Sequence, residues 1–340
     1  MRLWFNEAYR GTYQLIGQLR EGAAADGVDL HVTGSHTLRS TPFLQACDDA
    51  FPEPAQLTGE DWVEHALAVC AERRIDVFVP QREQLAVARA VDRFTAAGVR
   101  VMVSPARSVE VLADKAAAHA DAVALGVPVP QTHVVTDVDG FRTAYAALRA
   151  QGLGVCTKPA VDHGGRGFRV LDETVGGYDD LLAEPSARVH PDDVARRIEA
   201  AGQVPPLLVC EHLDGEELSV DVLSDDGEVL AAVPRGKGGP VWTRHLVRDE
   251  AALAIAATLV RAHGLRYLSN VQVRYGGGTC RLLEVNTRAA SGLYQSAASG
   301  VNLPWAALRL LRGEPVDLPE PVFGALVLLR EHGSEVELPW

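Results

Sequence analysis

Long apolar runs are missing from this sequence. No stretch reaches the roughly 18–20 residues that a membrane-crossing helix needs. The longest candidate, Ala251 to Val260, is Ala-rich and flanked by Glu250 and Arg261. At the start, Met1-Arg2-Leu3-Trp4-Phe5 meets the polar pair Asn6-Glu7 before the apolar part of a secretion signal could form, so a cytoplasmic protein is expected. Cysteine is scarce too: Cys47, Cys70, Cys156, Cys210 and Cys280 are scattered, odd in number and without a CxxC pair. That pattern argues against a disulfide framework or a thiolate zinc site and reads as small buried hydrophobes. Positive charge is the third shortage. With 32 Lys and Arg against 45 Asp and Glu, the net charge of −13 repels nucleic acid and anionic membrane, while leaving room for a local basic pocket. No GxGxxG follows the first strand signal, and Gly11 and Gly17 are wrongly spaced for a pyrophosphate turn, which argues against a nicotinamide-dependent oxidoreductase. His31, His65, His119, His190 and His332 show no metal-ligand spacing and read as structural or surface residues.

What is present is an ordinary globular composition, 47% hydrophobic and 23% charged, on a chain of 340 residues, enough for two or three packed subdomains. The first hundred residues alternate strand and helix signals. Strands are expected at Leu3–Phe5, Val28–Val32, Ile75–Pro80 and Val99–Val103, with helices at Thr12–Ala24, Trp62–Arg73 and Leu85–Ala97. Such βαβ spacing predicts a parallel sheet in an open Rossmann-like layer. From Ser108 the character changes. A helix is expected over Val109–Leu125, carrying Asp114 and Lys115, followed by extended backbone at Val127-Pro128-Val129-Pro130. After a helix at Phe141–Arg149, strands are expected at Val155–Pro159 and Phe168–Val170, on either side of Asp162-His163-Gly164-Gly165-Arg166-Gly167. Pro205–Leu213 and Leu218–Leu223 read as a hairpin turning at Asp214-Gly215, and Asp225-Asp226-Gly227 turns the chain into Val229–Val233. A helix over Asp249–His263 precedes strands at Val271–Val273 and Arg281–Val285, and Phe323–Leu329 with Glu335–Leu338 reads as a terminal hairpin.

Two constellations carry chemistry. Lys158 at a strand end presents a fixed point charge suited to phosphate, and a glycine-rich loop lets backbone N–H groups close over a polyphosphate. The plainer alternative is a surface lysine beside a flexible hairpin. In Glu284-Val285-Asn286 the two polar side chains leave the same face of a strand. With Gln272 on a neighbouring strand signal they offer three oxygens to a hard cation such as Mg²⁺, and Arg288 follows into the same space. The alternative there is a polar stripe on a half-exposed sheet. Arg235 and Lys237, in Pro234-Arg235-Gly236-Lys237-Gly238-Gly239, form a basic pair on an expected glycine-rich loop and are candidates for a substrate carboxylate or phosphate. Trp242 and His245 stand nearby.

The order of these pieces resembles the ATP-grasp superfamily. Asp114-Lys115, Gly126-Val127-Pro128-Val129-Pro130 and Lys158-Pro159-Ala160 with its glycine loop come first; Glu211-His212-Leu213-Asp214-Gly215-Glu216-Glu217, Gln272 and Glu284-Val285-Asn286-Thr287-Arg288 follow. The resemblance runs from about Ser104 to Pro315 and is greatest to the carbamoyl-phosphate-synthase-like carboxylate–amine ligases, amino-acid ligases included. It implies an α/β (α+β) ATP-grasp fold with an N-terminal Rossmann-like pre-ATP-grasp domain at 1–105, a subdomain with the phosphate loop at 106–206, and a C-terminal subdomain with the metal site and terminal hairpin at 207–340. By the same resemblance Lys115 and Lys158 hold nucleotide phosphates, and His163, Gly164, Gly165 and Gly167 belong to the loop over the triphosphate. Glu211 and Leu213 lie in the segment that reads adenine, and Glu217 takes the ribose hydroxyls. Gln272, Glu284 and Asn286 bind magnesium, and Arg288 steadies the acyl phosphate. Two departures stand out: Thr287 replaces the usual proline, which changes loop stiffness, and the ligand set holds a single carboxylate, Glu284.

The function implied is an ATP-dependent ligase that activates a carboxylic acid, an amino acid or small peptide, and couples it to an amine. Its cofactors would be ATP and Mg²⁺, with Mn²⁺ as substitute, its partners a small-molecule acid and amine, and its assembly a homodimer. A thiol acceptor, and a catalytically degenerate ATP-binding regulatory protein, are the alternatives.

Overall fold

Both faces of a parallel sheet are covered by its crossover helices, so its strands read as unbroken apolar runs, and Leu3-Trp4-Phe5 is such a run. The computed structural model describes residues 1–161, 166–178, 184, 186–240, 242–330, 333 and 335–340. Strands β1 (Arg2–Asn6), β2 (His31–His36), β3 (Asp49–Pro52), β4 (Val77–Val79) and β5 (Arg100–Val101) form a parallel sheet in the order β3-β2-β1-β4-β5. The helices between them are α1 (Thr12–Ala25), α2 (Gly59–Arg73), α3 (Gln84–Arg89) and α4 (Val91–Ala96). Trp4 packs to one side among Trp62, Phe78 and Phe94, while Leu3 and Phe5 pack to the other against Leu15, Ile16 and Leu19 of α1. The Rossmann-like layer expected from the alternation is therefore the one that forms.

Three local expectations change. Val28 does not open a strand, because the end of α1 claims its backbone: Gly27 turns left-handed at φ +65° and Val28 N–H donates to Ala23 O at 2.8 Å, closing the helix before β2 starts at His31. The helix expected over Leu85–Ala97 is interrupted at Ala90. The helix expected over Val109–Leu125 breaks at Asp114, which leaves α5 (Ala106–Ala113) and α6 (Lys115–Ala124). Asp114 takes an extended backbone, and its carboxylate accepts from Ala116 N at 2.7 Å and Ala117 N at 3.1 Å. It caps α6 and sets Lys115 on the first turn.

Further strands are β6 (Thr132–Val135), β7 (Val155–Pro159), β8 (Arg169–Leu171), β9 (Arg188–Val189) and β10 (Leu207–Glu211), in the sheet order β6-β10-β7-β8-β9; helices α7 (Val138–Arg149) and α8 (Pro191–Ala201) accompany them. A six-stranded sheet, β15-β14-β11-β12-β13-β16, is made from β11 (Glu217–Asp225), β12 (Glu228–Gly236), β13 (Thr243–Leu246), β14 (Tyr267–Gly276), β15 (Thr279–Asn286) and β16 (Leu326–Leu328). Helices α9 (Glu250–His263), capped by Asp249, and α10 (Leu303–Leu311) complete the elements. The expected hairpin of Pro205–Leu213 with Leu218–Leu223 does not form. β10 is already paired on both edges, with β6 and β7, so no edge is left for β11, which opens the other sheet. The turn at Asp225-Asp226-Gly227 does form, Asp226 and Gly227 both at positive φ, and joins β11 to β12. The expected terminal hairpin is also replaced: β16 pairs with β13, and residues 335–340 carry no strand.

The chain divides into two units. One comprises Met1–Leu112, Glu217–Gln272 and Val285–Trp340; the other comprises Ala113–Glu216 and Val273–Glu284, so the division passes within β14 and β15. No helix among the described residues is long and apolar enough to cross a membrane. Phe78 is fully buried and stacks on Trp4 at 4.2 Å between ring centroids and 17° between planes. Truncation there removes a ring that the packed layer cannot refill. Phe78→Ala should lower the unfolding free energy by about 3–5 kcal/mol, read by urea denaturation.

Candidate active site

The sheet that holds Lys158 has two unlike faces. Val155, Leu207 and Val209 pack with Phe141 and Leu148 of α7 and Ile198 of α8. The alternate residues Cys156, Leu208 and Cys210 face the other way and cluster with Ala160, Ala116 and Phe168. Lys158 is two residues on from Cys156, so it leaves the sheet on this second face, among apolar side chains. β7 and β8, the strands on either side of the glycine-rich segment, are antiparallel. Gly167, at the end of that loop, has φ +71°, and a Cβ there would stand 2.7 Å from the Pro159 ring, so no larger residue fits. His163, Gly164 and Gly165 lie outside the described residues.

Two cations and a histidine converge on consecutive residues of β15. Lys158 Nζ donates to Leu283 O at 3.3 Å, and His119 Nε2 lies 3.0 Å from the same oxygen. A carbonyl only accepts, so Nε2 carries the proton. Lys115 Nζ lies 3.5 Å from Glu284 Oε2, and Lys115 N donates to Ala160 O at 3.0 Å. The imidazole of His119 is driven down to about 4, first by burial and then by Lys158 beside it. His119 carries no motif that marks it for this place; its one sign in the sequence is its position four residues after Lys115, one helical turn on. In the same unit, Glu211 accepts from Arg281 Nη1 at 3.2 Å and from Gln131 N at 3.2 Å, and Leu213 is buried.

The remaining candidates belong to the other unit. Arg235 is not on a loop, as its sequence neighbours implied, but inside β12, where it is 3% exposed. Its Nε and Nη2 donate to Asp221 at 2.5 and 3.2 Å, and its Nη1 donates to Gln295 Oε1 at 2.8 Å. Gly292 lies against this guanidinium, a Cβ there being 2.9 Å from Nη1. Lys237, just past β12, forms an ion pair with Glu217. The structure therefore brings together the residue assigned to ribose and a residue assigned to substrate, directly across two paired strands. Arg288 donates to Asn286 Oδ1 at 3.4 Å and to the Tyr9 hydroxyl, with its guanidinium 4.8 Å from the Tyr9 ring centre. Gln272 donates to Asn270 Oδ1 at 3.3 Å. Asp221, Asn270 and Tyr9 were not singled out by sequence reasoning; Asn270 repeats, two residues before Gln272, the spacing that drew notice to Glu284 and Asn286.

Gln272 and Asn286 lie in one unit and Glu284 in the other. Each carries an oxygen of the kind magnesium takes, two on amides and one on a carboxylate. Among the described residues no group of three or more His, Cys, Asp and Glu could hold a metal. A cavity lined by Phe5, Val79, Gln81, Thr287 and Arg288, among others, holds about 20 Å³, room for a water or two, and lies at the carboxyl ends of β1 and β4. Strand order reverses between those two strands, which is where open sheets of this kind bind ligands.

Comparison with known proteins places the fold. Residues 203–331 match the family model for "ATP-grasp in the biosynthetic pathway with Ter operon". The carbamoyl phosphate synthase large chain of Gemmatimonas aurantiaca is 28% identical over 234 residues, 64% of this chain and 20% of that one. The chain thus spans about a fifth of that relative's length. Among solved structures, the biotin carboxylase domain of Hydrogenobacter thermophilus 2-oxoglutarate carboxylase, in complex with MgADP, ADP and bicarbonate, superposes with a TM-score of 0.65 at 15% identity, covering 95% of this chain and 73% of that one. An L-amino acid ligase from Bacillus licheniformis gives 0.61 at 17% identity, covering 94% and 75%. The chain has the ATP-grasp fold, with the N-terminal layer its sequence implied.

Two outcomes follow from the geometry. Removing Arg235 leaves the Asp221 carboxylate buried and short of its cation, so Arg235→Met should cost about 3–5 kcal/mol by chemical denaturation, whereas Lys237→Met, at a half-exposed pair, should cost less than about 1 kcal/mol. His119 is held neutral in the fold with its pKa depressed from 6.5 to about 4. Its contribution to stability is therefore complete above pH 6.5 and lost as pH falls from there toward 4. Melting curves of nucleotide-free protein should drop over that window, and His119→Asn should flatten the drop.

Proposed function

We propose that this ATP-grasp protein is an ADP-forming ligase that joins a carboxylic acid, an amino acid or small peptide, to an amine. The observation that carries the reading is the convergence of Lys115 and Lys158 on the Leu283–Glu284 step of β15, beside a face of apolar side chains. A nucleotide needs that combination: an apolar surface for its base and fixed cations for its phosphates. Within the reading, residues 1–105 form the Rossmann-like layer that precedes the ATP-grasp subdomains, 106–206 carry the phosphate loop, and 207–340 carry the metal ligands. Glu211 and Leu213 flank the base, and Glu217 turns from Lys237 to the ribose hydroxyls. Gln272, Glu284 and Asn286 hold Mg²⁺, which when bound offsets the charge of the phosphates. The proteins with which this chain shares its fold include one solved with MgADP and one named as an amino-acid ligase, and both support the reading.

The chemistry assigns the protein a modest task. A carboxylate is a poor electrophile; when one of its oxygens attacks the γ-phosphorus, the bond to the ADP oxygen breaks and an acyl phosphate forms. The amine nitrogen then attacks the acyl carbon, phosphate leaves, and the amine loses a proton. Lys115, Lys158 and Arg288 hold negative charge in place through both steps, and exclusion of water by the glycine loop protects the acyl phosphate from hydrolysis. No side-chain nucleophile is required.

A thermal-shift titration with a non-hydrolysable ATP analogue, with and without Mg²⁺, tests the nucleotide site without knowledge of the acid. At about 100 times Kd, binding adds about 2.7 kcal/mol of stability. Wild-type protein should show a Mg²⁺-dependent rise in Tm, Lys158→Ala should lose it, and Glu284→Ala should form no ADP with any acid and amine pair that the wild type accepts. No shift in folded wild-type protein would leave a vestigial site and remove the ligase reading, and an active Glu284→Ala would remove that residue from the metal set.

A further inference from the structure

An amide is a two-ended ligand: its oxygen accepts, its nitrogen donates, and only the oxygen serves a hard cation. Something must therefore fix which end Gln272 presents. The polarity can be traced from Asp221, which is fully buried. Its Oδ2 accepts from Arg235 Nε at 2.5 Å and from Ser296 Oγ at 2.5 Å; its Oδ1 accepts from Arg235 Nη2 at 3.2 Å and from Asn270 Nδ2 at 2.8 Å. A carboxylate paired with a guanidinium has nothing to donate, so Asn270 must turn its nitrogen toward it. The carbonyl of Val220, also an acceptor only, lies 3.4 Å from the same nitrogen and enforces the same choice. Asn270 is itself fully buried. Its Oδ1 is then committed to the far side, where it accepts from Gln272 Nε2 at 3.3 Å. With its nitrogen engaged, Gln272 keeps Oε1 as the end for a cation.

We propose that Asn270 is a positioning residue that sets the polarity of the Gln272 amide for metal binding, with the Asp221–Arg235 pair as the fixed end of the chain. The inference rests on the reading of Gln272 as a magnesium ligand. Its own content is that the direction of an amide, and not merely its place, is dictated by an ion pair two links away. Shape does not distinguish the two ends of Gln272, so this control is electrostatic.

Free Mn²⁺ measured by electron paramagnetic resonance, in the presence of full-length protein and a non-hydrolysable ATP analogue, reads the metal without catalysis. Asn270→Ser should weaken Mn²⁺ binding by about tenfold or more, the usual scale for a residue that orients a ligand. Gln272→Ala should weaken it at least as much. The diagnostic protein is the double variant Asn270→Ser with Gln272→Glu. A carboxylate presents oxygen whichever way it turns, so Mn²⁺ binding should return to near the wild-type value. Loss in Asn270→Ser that the second substitution does not restore, in a protein that melts cooperatively, overturns the inference. So does unchanged Mn²⁺ binding in Asn270→Ser alongside loss in Gln272→Ala, which leaves the metal reading intact. Unchanged binding in Gln272→Ala removes Gln272 from the metal set and the inference with it. Wild-type protein gives a measurement that does not depend on any variant folding: the Gln272 side-chain N–H protons should exchange slowly with solvent, and exchange as fast as in free glutamine overturns the proposal.

Discussion

A carboxylate sealed from water must be neutralised and hydrogen-bonded on all sides, and Asp221 is the place where this protein meets that demand. The four bonds it accepts come from three elements: two from Arg235 on β12, one from Asn270 on β14, and one from the Ser296 hydroxyl in the 3₁₀ segment Leu293–Ser299. Arg235 in turn reaches Gln295 of that segment, and the absence of a side chain at Gly292 lets the backbone approach the guanidinium. One ion pair thus ties three consecutive strands, β14, β11 and β12, and the segment that follows Arg288. Buried pairs of this kind are poor sources of net stability, because desolvation offsets most of the attraction. What they supply is direction. Each donor and acceptor has a single arrangement that leaves nothing unpaired, and the side chains at the edge of the network inherit it.

A similar economy governs the lysine cluster. Leu283 O has two lone pairs and receives two donors, Lys158 and His119. Burial, and after it the nearby ammonium groups of Lys158 and Lys115, disfavour an imidazolium there, so the histidine serves as a neutral donor with its pKa lowered. Glu284 supplies the balancing charge to Lys115 one residue further on. The cations that the reading gives to phosphate are thereby held near one short piece of strand by groups that any anion entering the site would have to compete with or replace.

The N-terminal layer shows how much of a fold periodicity alone can specify. Leu3-Trp4-Phe5 and Val77-Phe78-Val79 are apolar without alternation, and both become strands buried on two faces. Errors arose where a side chain or a turn competes locally with the pattern. Asp114 sits in an apolar run that reads as one helix, yet its carboxylate prefers two backbone N–H groups and starts a new helix in mid-run. Val28 looks like a strand residue but its N–H closes the end of α1.

From the sequence alone came the element types, the order of the chemistry-bearing segments and the pairing of Glu284 with Asn286 on one strand, because these depend on spacing along a chain of known geometry. Tertiary structure decided the rest. That Pro205–Leu213 does not turn back on Leu218–Leu223 depends on β6 and β7, strands far away in sequence, having already filled both edges of β10. That Arg235 is buried against Asp221 while Lys237, two residues on and just past the end of β12, pairs with Glu217 nearer the solvent depends on how far along that one face the packing reaches. Spacing fixes which residues share a face; only packing decides whether that face meets water, and with it whether a charge is a ligand or an anchor.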